Sequence, residues 1–222
     1  MSKQNVLVTG GAGFIGSNLV DALVESGIQT FVIDNFSTGL KSNRNENAHY
    51  FNIDVKDFIT NNKLFTEILV QNAIDVVYHL AAFTDVRESI AEPNVVYESN
   101  LLSTISLAEA CSISGVRKFV FTSTSAVYGT PLYSPVDESH STIPLSPYGL
   151  SKLAAEKHLE YNYNNNMNMD TFIFRLPNVY GPRQRPDLEG GVVAIFNERM
   201  VKSDSVKFYG DGKQTRDWVH VF

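Results

Sequence analysis

The sequence predicts an α/β protein built on a doubly wound parallel sheet, and three observations point there. Short apolar runs recur at 4–9, 30–34, 49–53, 74–80, 117–123 and 171–176. Longer amphipathic patterns lie between most of them, at 14–26, 62–72, 94–114 and 148–163. Strands that alternate with helical segments imply parallel pairing, with crossover helices on both faces of the sheet. Runs such as Ile74 to Leu80 and Lys118 to Phe121 are apolar at nearly every position, as strands covered on both sides require.

The first strand leads into the most informative stretch, Val6 to Ser17. A β-branched run meets glycines at Gly10, Gly13 and Gly16, and an amphipathic helix follows. One glycine lets the chain turn sharply, one clears space for a phosphate, and one lets helix and strand pack closely. Such a turn brings backbone N–H groups and the positive end of a helix to a pyrophosphate. A plain βαβ turn also uses glycine, but here strand and helix stand correctly on both sides. The second apolar run ends at Asp34, whose carboxylate can accept both hydroxyls of an adenosine ribose. The expected architecture is therefore a Rossmann-type, dinucleotide-binding sheet.

Further along, Leu107, Ala108 and Cys111 line an apolar helical face, which makes Cys111 a small buried hydrophobe. Residues 129–147 hold Pro131, Pro135, Pro144 and Pro147 and read as a long ordered loop. The asparagine-rich stretch from Tyr161 to Met169 reads as a helix end and loop. Pro177, Gly181, Pro182, Pro186, Gly190 and Gly191 mark departure from the nucleotide domain. The expected division is a nucleotide domain over 1–176 and part of a smaller C-terminal substrate domain over 177–222.

Composition narrows the function classes. The 222 residues are 43% hydrophobic and 19% charged, with a net charge of −6. That length buries one good core, or one domain and part of a second. An acidic balance without a basic run argues against nucleic acid as a partner. No apolar stretch is long enough to span a bilayer. The chain enters a strand within a few residues of its start, which leaves no room for a signal peptide. A lone cysteine forms neither an internal disulfide nor a cysteine-based metal cluster, so no metal is expected and the setting is expected to be cytoplasmic.

The chemistry centres on Tyr148 and Lys152, a phenol and an ammonium at i and i+4 on one helical face, just behind Pro147. A free phenol has a pKa of about 10, too high for base work at neutral pH. A lysine one turn away and a cationic nicotinamide would lower it and let a phenolate take a proton. An exposed helical pair is the plain alternative. The strand at 117–123 ends in a run of hydroxyls, Thr122 to Ser125, at the edge where open α/β sheets bind ligands. Thr124 there either bonds a substrate hydroxyl or merely caps the strand.

These residues resemble the extended short-chain dehydrogenase/reductases, within them the NAD-dependent epimerase/dehydratase group that acts on nucleotide sugars. The resemblance runs through Thr9 to Gly16, Asp34-Asn35, Asp54-Val55, His79 to Ala82, Asn100, Ser123 to Gly129, Tyr148 to Lys152, Arg175 to Gly181 and Gly210 to Val221. It implies NAD as cofactor, with Gly10, Gly13, Phe14 and Ile15 on the pyrophosphate and Asp34 and Asn35 on the adenosine ribose. Asp54 and Val55 would flank the adenine, and Leu80, Ala81 and Ala82 the middle of the cofactor. Asn100, Ser123 and Pro177 join this set, although Asn100 can equally tie helix backbone to the sheet. Thr124, Tyr148 and Lys152 would be catalytic, with Tyr148 as base and Lys152 also a ribose ligand. Thr124, Asn178 and Arg216 would contact substrate, a UDP-sugar by resemblance, although Arg216 and Asp217 also suit a surface ion pair. Relatives often dimerise through two helices that match 94–114 and 148–163, which makes a homodimer an expectation.

Two features narrow the reaction. Related 4,6-dehydratases follow the catalytic threonine with Asp-Glu, and related decarboxylases carry glutamate where this chain has Ala126. Ser125 and Ala126 cannot exchange protons that way, so a 4-epimerase of the UDP-glucose or UDP-N-acetylglucosamine type is favoured over either lyase. Asp34 without an arginine directly after it favours NAD over NADP. Members of the group continue past the segment that ends here at Phe222. The expectation is weak substrate closure, low turnover and a mobile tail; a catalytically silent NAD-binding module is the remaining alternative.

Overall fold

The computed structural model describes residues 4–164, 168–188, 191–208 and 210–222. Six parallel strands form the main sheet in the order β3-β2-β1-β4-β5-β6. They are β1 (Asn5–Thr9), β2 (Gln29–Asp34), β3 (His49–Asn52), β4 (Val76–His79), β5 (Lys118–Thr124) and β6 (Asp170–Leu176). Helix α1 (Phe14–Glu25) joins β1 to β2, while α2 (Asp57–Thr60) and α3 (Asn62–Gln71) join β3 to β4. Between β4 and β5 run α4 (Val86–Ala91), α5 (Pro93–Tyr97) and α6 (Ser103–Ile113), with a π-helical turn at Glu98–Leu102. The pattern predicted over 94–114 is thus one helical path interrupted by that turn. Helix α7 (Pro147–Asn164) carries the chain to β6. Residues 165–167 of the asparagine-rich stretch, and Gly190, lie outside the described residues.

The strand register explains where a ligand sits. Thr9 lies level with Ile33 on one side and His79 on the other, so β1, β2 and β4 end together. The chain winds outward from β1 through β2 to β3, then restarts at β4 and winds the other way. The crevice beyond the ends of β1 and β4 is the topological switch point of the sheet.

Alternate side chains of the apolar strands fill two cores. Leu7, Ile33, Val77, Phe119 and Phe121 pack with Phe58, Phe65, Leu69, Leu107, Cys111 and Leu159 from α2, α3, α6 and α7. Val6, Val8 and Val32 pack with Val20 and Leu23 from α1 on the opposite face. Cys111 is buried, as its apolar helical face predicts. Coverage of both faces does not extend to β6, where Phe172 and Phe174 are 43% and 52% exposed. The expectation of helices on both faces therefore holds for the β1–β4 region and fails at that edge.

The C-terminal segment forms a small second sheet. Strand β7 (Asn178–Tyr180) pairs in parallel with β8 (Trp218–His220), and α8 (Val192–Val201) lies between them in sequence. The Val221 N–H also donates to the Tyr180 carbonyl at 3.0 Å. The last residues are thus tied to β7 through the backbone, while Phe222 stays 78% exposed. Among the described residues no helix is long and apolar enough to cross a membrane.

Candidate active site

The glycine turn is built as the sequence predicts. Gly10 has a φ of +72°, a conformation L side chains rarely adopt. A Cβ there would stand 2.7 Å from the Ala81 nitrogen, so Gly10 also lets the end of β4 close on the turn. At Gly16 a Cβ would stand 2.1 Å from the Gly10 carbonyl oxygen, which makes it the close-packing glycine. Gly13 stands at the N-cap of α1 and offers no side-chain cap. The first N–H groups of the helix, at Phe14 and Ile15, are therefore left for an anion.

Asp34 is buried, and both carboxylate oxygens already accept backbone N–H bonds. Oδ2 takes the Ala12 N–H and Oδ1 the Phe36 N–H, each at 2.8 Å. Each oxygen keeps a second lone pair for a hydroxyl. The same bonds lock the carboxylate to the glycine turn, so the ribose and phosphate elements form one rigid unit. Asn35 donates from Nδ2 to Asp54 Oδ2 at 2.9 Å, and the Lys56 N–H donates to Asp54 Oδ1. Val55 is buried beside them.

The end of β4 is held by a buried hydrogen-bond chain that sequence reasoning did not assign. Thr104 Oγ1 donates to the Asn100 carbonyl at 2.7 Å, which uses its one proton. His79 Nε2 must then donate to Thr104 Oγ1, at 2.9 Å, and Nδ1 must accept from Thr9 Oγ1, at 2.7 Å. Thr9 Oγ1 in turn accepts the Ala81 N–H at 3.1 Å. His79 is neutral in this chain. Burial first, and the Lys152 charge second, lower its pKa to about 3. The chain sets the backbone at Leu80 and Ala81, which with Ala82 lies half-buried at the crevice.

Asn100 is fully buried in the π-helical turn. Its Oδ1 accepts the Phe83 N–H at 2.8 Å, and Nδ2 donates to the Phe83 carbonyl at 2.9 Å and to Ser151 Oγ at 3.2 Å. Asn100 thus ties the segment after β4 to α7, the other of the two readings its position offers. Ser123 presents the opposite case. Its hydroxyl is buried at the end of β5 with no protein partner. A buried hydroxyl without a partner costs about 1–3 kcal/mol. A carboxamide or ribose group would relieve that cost, so Ser123 together with the uncapped turn fits a bound dinucleotide.

Tyr148 and Thr124 come together, and Lys152 lies one turn further along α7. Gly149 lets α7 approach the turn after β5, since a Cβ would stand 2.8 Å from the Ala126 carbonyl oxygen. Thr124 Oγ1 caps that turn by accepting the Ala126 N–H at 3.2 Å, which leaves its own proton to donate. The capping reading of Thr124 is thus seen, and it does not exclude a bond from that hydroxyl to substrate. Burial pushes the Tyr148 phenol above its ordinary range, and the Thr124 hydroxyl pulls it partly back. The lowering expected from the sequence also draws on a bound nicotinamide's charge, and in the protein alone burial prevails. The reason is geometric: the Lys152 ammonium sits over the Phe121 ring, 4.5 Å from its centroid, and is itself desolvated. Burial drags Lys152 down to about 7, and only Glu156 opposes that.

Glu156 is the second feature the sequence reading missed. It lies fully buried two turns beyond Tyr148, bonded by the Arg175 guanidinium through Nε and through Nη2 at 2.7 Å. Arg175 also donates to the Tyr128 hydroxyl at 3.0 Å. The signal was present as an acid at i+4 from Lys152 and i+8 from Tyr148, on one helical stripe.

Pro177 is half-buried where β6 gives way to β7. Asn178 binds the backbone of Asp217, with its N–H and its Nδ2 both donating to the Asp217 carbonyl, at 3.2 and 3.1 Å. This places Asn178 beside the Arg216 backbone. The Arg216 guanidinium is exposed and donates to its neighbour, the Thr215 carbonyl. Segment 181–188 is pinned to the nucleotide unit: Arg183 pairs with Asp21 at 2.6 Å, Arg185 donates to the Thr38 carbonyl, and Asn18 donates to the Pro182 carbonyl. Arg183 and Arg185 thereby stand at a small pocket with Gly13 and Phe14. A larger cleft of about 390 Å³ opens between this segment and α8, lined by Tyr180, Arg183, Val193 and Asn197 and by none of the Tyr148 group.

Comparison with known proteins gives a consistent picture. The model of the NAD dependent epimerase/dehydratase family matches residues 6–222. A UDP-glucose 4-epimerase of Mycolicibacterium smegmatis is 41% identical over 221 residues, spanning 98% of this chain and 70% of that protein. The crystal structure of a UDP-glucose 4-epimerase from Thermotoga maritima with UDP-glucose superposes with a TM-score of 0.93 at 40% identity, over 98% of this chain and 70% of that one. A UDP-glucose 4-epimerase of Thermus thermophilus in complex with NAD gives a TM-score of 0.90 at 39% identity, over 98% and 71%.

Proposed function

The chain belongs to the NAD dependent epimerase/dehydratase family, and from that premise we propose that it is a nucleotide-sugar 4-epimerase of the UDP-glucose type. The observation that carries the choice of reaction is the turn after β5. Tyr148 and Thr124 stand together there, and the next residues, Ser125 and Ala126, supply no acid or base for removing water or carbon dioxide. The similarity to UDP-glucose 4-epimerases at about 40% identity supports the same reading.

The residues divide the work. Gly10, Gly13, Phe14 and Ile15 hold the cofactor pyrophosphate, Asp34 and Asn35 its adenosine ribose, and Asp54 and Val55 the adenine edge. Leu80, Ala81, Ala82, Ser123 and Pro177 line the middle and the nicotinamide end. NAD held by these residues would supply the acceptor and donor of the C4 hydride. Tyr148 takes the proton of the C4 hydroxyl, with Thr124 donating to the oxygen that develops charge. Lys152 holds the nicotinamide ribose and favours the phenolate by its charge. Asn178 and Arg216 serve the substrate diphosphate, for which a guanidinium offers several charge-assisted donors.

We further assign 1–176 as the nucleotide domain and 177–222 as the substrate segment, and place the protein in the cytoplasm. A homodimer through α5–α6 and α7 is supported by exposed Leu102, Ile113 and Leu150 on those helices. Incubating the purified protein with NAD and UDP-glucose or UDP-N-acetylglucosamine, then resolving the sugars, tests the function. Appearance of the C4 epimer supports the reading; a 4-keto-6-deoxy sugar or a pentose would replace it with a lyase.

Cofactor choice is a separate expectation. Asp34 sets a carboxylate where NADP would place its phosphate, so NAD is expected to bind at least about tenfold more tightly, near 1.4 kcal/mol. Replacing Asp34 by serine should narrow that gap. Calorimetry that finds equal affinities in the unaltered protein would refute the assignment.

A further inference from the structure

We propose that Glu156 is a positioning residue that keeps the Lys152 ammonium charged, with Arg175 and Tyr128 fixing its carboxylate in place. The proposal rests on Lys152 holding the nicotinamide ribose, as set out above.

Tyr148, Lys152 and Glu156 recur every four residues and share one stripe of α7. Lys152 is 2% exposed and Glu156 is fully buried. A buried ammonium is unfavourable unless something compensates it, and otherwise sheds its proton. Among the described residues no carboxylate lies within ion-pair distance of Lys152. The groups around it do little to stabilise charge. From β4 comes His79, neutral in its hydrogen-bond chain. From β5 comes the Phe121 ring, a weak cation partner. From β6 comes Arg175, a cation, and from the turn after β5 the Tyr128 hydroxyl that Arg175 binds. On the neighbouring helices α4, α6 and the π-helical turn, Arg87, Glu88, Glu98 and Glu109 are exposed to solvent. On its own helix Glu160 is paired with Lys157, and Glu156, one turn from Lys152 on the stripe it shares with Tyr148, brings the negative charge. Burial takes Lys152 down to about 7 and Glu156 acts against it, which agrees with this geometry.

Arg175 explains why the carboxylate stays where it is needed. Three contacts from one guanidinium hold both Glu156 oxygens. Glu156 is thereby fixed as an anion one turn below Lys152, in a medium where its field is weakly screened. Loss of the carboxylate charge would do two things with one sign: the stabilising anion disappears, and the Arg175 cation is no longer matched. Both drive Lys152 toward its neutral form.

The test is cofactor affinity, measured by calorimetry with NAD from about pH 5 to about pH 9, where Lys152 titrates. Protonated Lys152 binds the ribose, so affinity of the unaltered protein falls as pH rises through the lysine pKa. Glu156→Gln keeps size and hydrogen bonding but removes charge. It is expected to move that limb down by about one pH unit, so that NAD binds about two- to fivefold more weakly between the two limbs and approaches about tenfold above both. Below both limbs the two proteins agree within about twofold. Glu156→Asp keeps the charge, drawn back by a methylene, and gives a smaller displacement of the same sign. In a Lys152→Met background Glu156→Gln displaces nothing. A purely structural role would instead weaken NAD equally at every pH, and that result overturns the proposal, as does a displacement that survives in the Lys152→Met background. Should Glu156→Gln fail to fold, Glu156→Asp decides alone: a limb left where the unaltered protein has it overturns the proposal. Because the readout is binding, an absence of sugar turnover would sink the epimerase reading and leave this test standing.

Discussion

Tyr148→Phe is expected to reduce epimerisation by about three orders of magnitude, near 4 kcal/mol of barrier, while NAD affinity stays within about twofold. The ring is half-buried beside the turn after β5 and packs the same way without its oxygen. What disappears is the group assigned to take the C4 hydroxyl proton. Thr124 does not replace it, because its oxygen already accepts from Ala126 and a threonine hydroxyl is far too weak a base. Burial keeps the phenol protonated in the protein alone. Its activation must therefore come with the charges assembled on binding, of which Lys152 is the one the polypeptide supplies. A rate assay with UDP-glucose and a separate binding isotherm check the two halves. Substantial turnover in the variant would remove Tyr148 from the base role; lost NAD binding would make it a structural residue.

Sequence and structure agree most where a backbone constraint has a residue signature. Only glycine fits at Gly10 and Gly16, because of a positive φ in one case and a carbonyl at van der Waals overlap in the other. Such positions announce themselves. Apolar runs likewise give the strands, and four-residue spacing gives the Tyr148–Lys152 stripe. The unread part of the site lies where a side chain acts on another side chain across the fold. His79 reads as one more polar residue in a strand until β1 and α6 supply Thr9 and Thr104. Arg175 reads as a charge within a strand until α7 supplies Glu156. The tie that Asn100 makes shows only once its amide is found bound to Phe83 and Ser151. Long-range pairing of this kind has no local period, so composition and spacing do not reveal it. The burial that holds the Tyr148 phenol up in the protein alone is hidden for a related reason: proximity of Lys152 is a sequence fact, whereas their shared burial is a property of the packed helix.

The buried His79 chain also makes the fold sensitive to acid. The imidazole has no room for a second proton: Nδ1 accepts from Thr9, and Thr104 has spent its hydrogen on the Asn100 carbonyl. Its folded pKa, about 3, lies below the unfolded value of 6.5. The unfolded chain thus binds a proton that the folded chain refuses, and stability rises with pH across that window. Read downward, stability is full above about 6.5 and is lost progressively as pH falls toward the folded pKa of about 3. One proton contributes about 1.4 kcal/mol per pH unit, so acidification from about pH 6.5 to about pH 5 should cost about 2 kcal/mol from this residue alone. His79→Gln can keep both hydrogen bonds, its oxygen accepting from Thr9 and its amide donating to Thr104, yet it does not titrate. Denaturant unfolding at several pH values should therefore show a shallower acid slope in the variant, by about one proton, whatever its stability at neutral pH. Equal slopes in the two proteins would mean that His79 is not the group resisting protonation. A shallower slope would tie the acid limit of the fold to the same bonds that hold Ala81 against the glycine turn.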